Sequence, residues 1–240
     1  MDVRWEECGW ERLAPGVGRR RLPGWDATVG LVAGAAAALL YDTGSTVREG
    51  EAIRAQVAAL LGEDRRVTHI ALSHAHFDHV LGTAAFPEAE VYGAVGLADL
   101  LAGGAGLYES AVHHGVSEAE ATEAVDLLVR PGHAVSGSLT LDLGGRQVTL
   151  ANAGPGHSAH DLALLVPASP PVLFCGDLVE ESGEPQAGPD AIPARWPAAL
   201  DRLLTLGGAD AVYVPGHGAV VDAAFVRAQR DALAARFGVS

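Results

Sequence analysis

Lysine is missing from all 240 residues: every one of the sixteen basic side chains is an arginine. That excludes Schiff-base chemistry, a lysine general base and a phosphate-binding P-loop lysine. Cysteine is nearly missing too. Cys8 and Cys175 are too few for a disulfide framework or a thiolate metal cage, which fits a reducing compartment. Positive charge is scarce, with 16 basic against 30 acidic residues and a net charge of −14. Such a balance opposes a nucleic-acid backbone or an anionic membrane surface, so neither is expected as a partner. Long apolar runs are lacking as well. The longest, Val29 to Tyr41, is interrupted by Gly30 and Gly34 and falls short of the roughly 20 residues that cross a bilayer. Met1-Asp2-Val3-Arg4-Trp5-Glu6-Glu7 mixes charges where a signal peptide needs an unbroken apolar segment. A soluble, cytoplasmic protein is the expectation.

What is present is ample apolar material, 49% hydrophobic residues with 19% charged and 30 glycines. A chain of this length buries roughly 70% of its unfolded surface without disulfides. No low-complexity linker or change of composition divides it, and a single domain over 1–240 is expected. Strands are predicted at Thr28–Val32, Ala37–Tyr41, Val67–Ser73, Val91–Tyr92, Leu139–Leu143, Gln147–Asn152, Leu162–Val166, Val172–Cys175 and Ala211–Val214. Helices are predicted at Glu49–Leu61, closed by Gly62, at Val95–Leu101, at Ser117–Leu128 with Ser117 as cap, and at Pro197–Leu206 and Asp222–Phe237. The glycine-rich tract Gly103–Gly115 reads as a mobile cover. This mixture suggests an α+β fold, two sheets packed together with helices outside.

Four ionisable side chains crowd into His74-Ala75-His76-Phe77-Asp78-His79. In an extended segment His74 and His76 point the same way. If a helix opens at Val80-Leu81-Gly82, Asp78 and His79 sit at its first turn and face a neighbouring point. Imidazoles with a carboxylate suit zinc or another borderline divalent metal, whereas calcium or magnesium prefers oxygen alone. Two ions need further ligands. His157 after Gly154-Pro155-Gly156, Asp177 at the end of an apolar strand, and His217 within Pro215-Gly216-His217-Gly218 are suitably placed, with glycines that let backbone approach a shared centre.

The H-x-H-x-D-H run formed by His74, His76, Asp78 and His79, with Gly82 after it, resembles the metallo-β-lactamase-fold hydrolases. Asp42-Thr43-Gly44, Gly156-His157-Ser158, Gly176-Asp177 and His217 match further markers in order. The resemblance implies an αββα sandwich of two mixed β-sheets flanked by helices, with the site at one edge. It implies that His74, His76 and His157 hold one zinc, that Asp78, His79 and His217 hold a second, and that Asp177 bridges them. Asp42 would orient a ligand. After His157 this chain reads Ser158-Ala159-His160-Asp161 where the family often has Thr-x-Gly. His160 is therefore taken as orienting a ligand, touching substrate or lying on the surface.

The implied reaction is hydrolysis of an ester, lactone or thioester of a small molecule by a metal-bridging hydroxide, with Asp78 orienting the nucleophile. Such chemistry needs no basic side chain. The alternatives are a mononuclear Fe2+ sulfur dioxygenase acting on a persulfide and, with no export signal, a β-lactamase as a lesser choice. His113 and His114 lie in the expected cover, and Arg195, Trp196 and Tyr108 flank the pocket or begin helices. Cys175 reads as an inert core thiol, His69 and His133 carry no motif, and Trp5, Trp10 and Trp25 cover the core.

Overall fold

Every second residue of the apolar runs faces a different layer. The computed structural model describes residues 5–62, 65–104 and 106–239, and its apolar side chains form three clusters. In strand β4, Leu39 and Tyr41 join one cluster while Ala38 and Leu40 join another; in β11, Val172 and Phe174 face one way and Leu173 and Cys175 the other. Strands buried on both faces read as unbroken apolar runs because neither side meets water. Three clusters require four layers.

One sheet has seven strands in sequential order, β1 (Glu11–Ala14), β2 (Val17–Arg21), β3 (Thr28–Ala33), β4 (Ala38–Tyr41), β5 (Val67–Ala71), β6 (Glu90–Ala94) and β7 (His133–Val135). It is antiparallel from β1 to β4 and parallel from β4 to β7. The other has five, in the order β12 (Val212–His217), β11 (Val172–Glu180), β10 (Leu162–Val166), β9 (Gln147–Asn152) and β8 (Ser138–Asp142), with only the β11/β12 pair parallel. The fold is thus α+β with two mixed sheets. The middle cluster, including Val32, Leu39, Leu150, Leu164 and Phe174, lies between them. Each such side chain contributes roughly 1.5–3 kcal/mol on burial.

Helices cover the two outer faces. On the first sheet lie α1 (Val47–Leu61), the single turn α2 (Phe77–Val80), α3 (Leu97–Ala102), α4 (Leu107–His113) and α5 (Glu118–Asp126); on the second lie α6 (Trp196–Gly207) and α7 (Ala223–Phe237). Caps set their starts. The side chains of Thr46, Ser117 and Asp222 accept from the backbone N–H of Glu49, Glu120 and Phe225, satisfying donors that a helix start leaves open. Among the described residues no helix is long and apolar enough to cross a membrane.

The structure differs from the sequence expectations in several places. Strand β11 does not stop before Asp177 but continues to Glu180 past an irregularity at Gly176. The Gly103–Gly115 tract contains α4, whose Leu107 and Ala111 are buried. The short helix at the histidine-rich motif begins at Phe77 rather than Val80. β1, β2 and β7 have no counterpart in the sequence reading. The charges at residues 1–4 lie outside the described residues.

Candidate metal centre

Strand ends deliver the site. Asp42 follows β4, Ser73 and His74 follow β5, Asp177 lies in β11 and His217 closes β12, so the chain presents these groups at the carboxyl ends of parallel strands, where open α/β sheets commonly place ligands. The sheets are tied together here: Leu162 N–H donates to Ser73 O at 2.8 Å, and Tyr41 Oη donates to Leu162 O at 2.6 Å. His76 is extended (φ −101°, ψ 149°) and α2 starts directly after it, turning Asp78 and His79 toward the same point.

Donor atoms converge on Asp177. Its Oδ2 lies 3.6 Å from His74 Nε2, 3.5 Å from His157 Nε2 and 3.3 Å from His217 Nε2, and its Oδ1 lies 3.2 Å from His79 Nε2. Asp78 Oδ2 is 3.4 Å from His217 Nε2 and 3.5 Å from His79 Nε2, and His76 Nδ1 is 3.1 Å from His157 Nε2. Two groups capable of holding an ion result, His74/His76/His157/Asp177 and Asp78/His79/His217. His74 Nε2, His79 Nε2, His157 Nδ1 and Asp177 Oδ1 are buried with no hydrogen-bond partner. Buried polar atoms left so are costly, and a shared cation fits this set of nitrogen and carboxylate donors.

Apart from His157 Nδ1, the remaining ring nitrogens have partners, which fixes the direction of those imidazoles. His79 Nδ1 donates to Asp42 Oδ2 at 2.9 Å, while Asp42 Oδ1 accepts from Ser73 N–H at 2.7 Å. His217 Nδ1 donates to Trp25 O at 2.7 Å, His74 Nδ1 lies 2.8 Å from Ser73 Oγ, and His76 Nε2 donates to Asp190 Oδ2 at 3.1 Å. Arg19 is 2% exposed, bonds Glu11 Oε2 at 2.7 Å and gives Nη1 to Gly218 O at 2.8 Å, pinning the loop after His217. Two glycines permit the approach. A Cβ on Gly216 would stand 1.8 Å from Asp177 Oδ1, and one on Gly82 would stand 2.0 Å from Thr43 O.

Electrostatics divide the histidines. Burial holds His74 well below its ordinary value and brings His157 down to about 4, so both are neutral at pH 7. Burial also opposes charge on His79 and His217, but the adjoining carboxylates outweigh it: Asp177, Asp78 and Asp42 raise His79 well above the usual range, and Asp177 lifts His217 to about 9. Burial raises the Asp177 carboxyl, yet His79, His217 and His74 prevail and hold it well below 3.8.

A cavity of about 460 Å3 opens onto this cluster, lined on the site side by His76, Asp78, His157, Asp177 and His217. The model of the metallo-beta-lactamase superfamily matches residues 22–217. The chain belongs to that superfamily. Its members are metal-dependent hydrolases acting on small molecules. Solved metallo-β-lactamases share the fold. The enzyme from Pontibacter korlensis has a TM-score of 0.74 at 21% identity, with 93% of this chain and 97% of that one covered. That from Hirschia baltica gives 0.69 at 16%, covering 93% and 96%. The metallo-β-lactamase FIM-1 from Pseudomonas aeruginosa, solved in its mono-zinc form, gives 0.70 at 17%, covering 96% of both. No curated protein matches the chain.

Within this superfamily member, His74, His76, Asp78, His79, His157, Asp177 and His217 all reach one centre. His160 does not. Its ring turns out to Val95 O, 2.8 Å away, beside Gly96. The neighbouring Asp161 takes the inward place, buried and accepting from Ser158 N–H at 3.0 Å and Ser158 Oγ at 2.8 Å, which folds the loop after His157. Arg195 is exposed in a 3-10 turn, whereas Trp196 is buried, donates Nε1 to Leu178 O and sets its ring 5.2 Å from His157. His114 stacks on Phe77 at 5.2 Å and lines the cavity; His113 is exposed. Asp190, Arg19, Phe77 and Glu180 escaped the sequence reading. Only Phe77, inside the motif, carried a local signal.

Proposed function

We propose that this protein is a dinuclear zinc hydrolase that cleaves an ester, lactone or thioester of a small molecule. The observation carrying the proposal is the meeting of two donor groups at Asp177, with His74 Nε2, His79 Nε2 and Asp177 Oδ1 buried and unpartnered. His74 Nε2, His76 Nδ1 and His157 Nε2 would hold one ion and Asp78, His79 and His217 the other, with Asp177 between the two groups. When bound, such a metal pair makes water acidic enough to ionise near pH 7 and polarises a carbonyl. His74 and His157 present lone pairs already neutral. Asp42 and Asp190 keep His79 and His76 aimed inward. Asp78 lines the cavity, so its carboxylate orients the attacking water, takes its proton and passes that proton to the leaving oxygen or sulfur.

Metal analysis of purified protein, run beside a panel of ester, lactone, thioester, phosphodiester and β-lactam substrates, tests this. Two zincs with acyl-bond turnover are expected. One iron with oxygen consumption overturns it. His76→Ala is expected to abolish turnover and lower metal content with the fold retained; full loading with unchanged turnover contradicts the assignment.

A further inference from the structure

Beyond the reacting bond, the cavity has a marked sign of charge. Its outer wall carries the carboxylates of Glu180, Glu184 and Asp190, and no arginine is among the described lining residues of a chain that has no lysine. The arginine bonded to this wall, Arg236, gives its guanidinium to Pro185 O and lies 5.2 Å from the Phe237 ring. Arg21 is paired with Asp26 and Arg19 is buried against Glu11 and Gly218 O. Opposite in character is an aromatic strip. Trp25 meets Phe77 edge-on at 5.1 Å, and His114 stacks on Phe77, with all three on the cavity surface. Aromatic faces accept apolar groups or cations. The carboxylates repel anions. The unpartnered Oδ1 of Asp177, a residue that lines this cavity, marks its inner end as a ligand site.

We infer that the site selects acyl substrates whose body carries no negative charge, an apolar neutral or cationic ester or lactone, and rejects anionic ones. The inference rests on the hydrolase reading above. The carbonyl meets the metal end of the cavity, while the rest of the substrate lies between the aromatic strip and Glu180 and Glu184. Carboxylate-bearing substrates, β-lactam antibiotics and glutathione thioesters among them, then meet like charge along that wall, where no arginine among the described lining residues offsets it.

A matched series of aryl esters ending in methyl, trimethylammonium or carboxylate, assayed on the zinc-loaded protein, measures the selection. The expected kcat/KM for the carboxylate ester is about tenfold below that for the methyl ester at low salt, and the gap narrows at about 1 M salt. Glu184→Gln, at an exposed position, and the double variant Glu180→Gln/Glu184→Gln are expected to bring the ratio to within about threefold. Calorimetric titration of the zinc-loaded protein with hexyltrimethylammonium and with hexanesulfonate gives a second readout free of turnover, and tighter binding of the cation is expected. Equal or faster turnover of the carboxylate ester, or tighter sulfonate binding, overturns the inference. Failure to cleave any ester, lactone or thioester defeats the acyl-hydrolase reading instead, and calorimetry then still decides the charge preference.

Discussion

Asp42 occupies a backbone conformation with φ +61°, a region that non-glycine residues enter rarely and that aspartate and asparagine tolerate best. The strain is matched by two bonds, from Ser73 N–H and His79 Nδ1. Asp42→Asn keeps the size and the tolerance of positive φ but can no longer accept on both sides. We expect metal affinity to fall about 10–100-fold with little change in melting temperature; competition with a chelating dye measures it, and unchanged affinity would refute the orienting role. The role of Asp42 was legible only through the family resemblance that Asp42-Thr43-Gly44 helps to carry. Asp190 was not, because it lies 114 residues from His76 in a polar loop with no periodic signal. Of the three roles open to His160 the structure leaves the outward one, with Asp161 inward, since a single loop residue's direction is decided by what packs around it.

At the scale of elements, β11 and β12 act as one clamp. They run parallel, and Gly176 (φ +56°) breaks the register just before Asp177, which redirects the side chain. Gly216 on β12 leaves the space that Asp177 Oδ1 fills. Gly216→Ala is therefore expected to displace Asp177 and lower metal stoichiometry or affinity by at least about tenfold, as loss of a well-positioned ligand does. Metal titration with a parallel melting curve checks it, and full retention of affinity would show that the strand gives way instead. The apolar runs of β3, β4, β10 and β11 were readable because both faces are buried. β1 and β2 were hidden: β2 contains Gly18 and ends in Arg19-Arg20-Arg21, and only the finished structure gives buried Arg19 its partners.

For the whole molecule, the site makes stability depend on pH in both directions. His157, whose value falls to about 4, and His74, held low by burial, leave the unfolded chain binding more protons below their ordinary 6.5, so that stability is present above about 6.5 and is lost as pH falls toward 4. His217, raised to about 9, and His79, raised further, contribute stability that is complete below 6.5 and disappears as pH rises through their folded values. Asp177, held low, contributes above 3.8 and loses its share only in stronger acid. Chelated protein should thus melt highest near about pH 6.5. Zinc should flatten the alkaline decline, because a bound metal replaces the protons on His79 and His217. Melting curves from about pH 5 to 9, with chelator and with zinc, test this; a steady rise through pH 9 in chelated protein would contradict it.

The sequence by itself determined the ligand types and the layered pattern. Four of the donors fall within six positions, where local geometry keeps them together, and two-faced strands must be apolar throughout. Only the tertiary structure decided which nitrogen of each imidazole faces inward, which carboxylates support them, and which charges line the cavity. Those depend on contacts between residues as far apart as Arg19 and Gly218, and side-chain direction over such separations is fixed by packing rather than by neighbours in the chain.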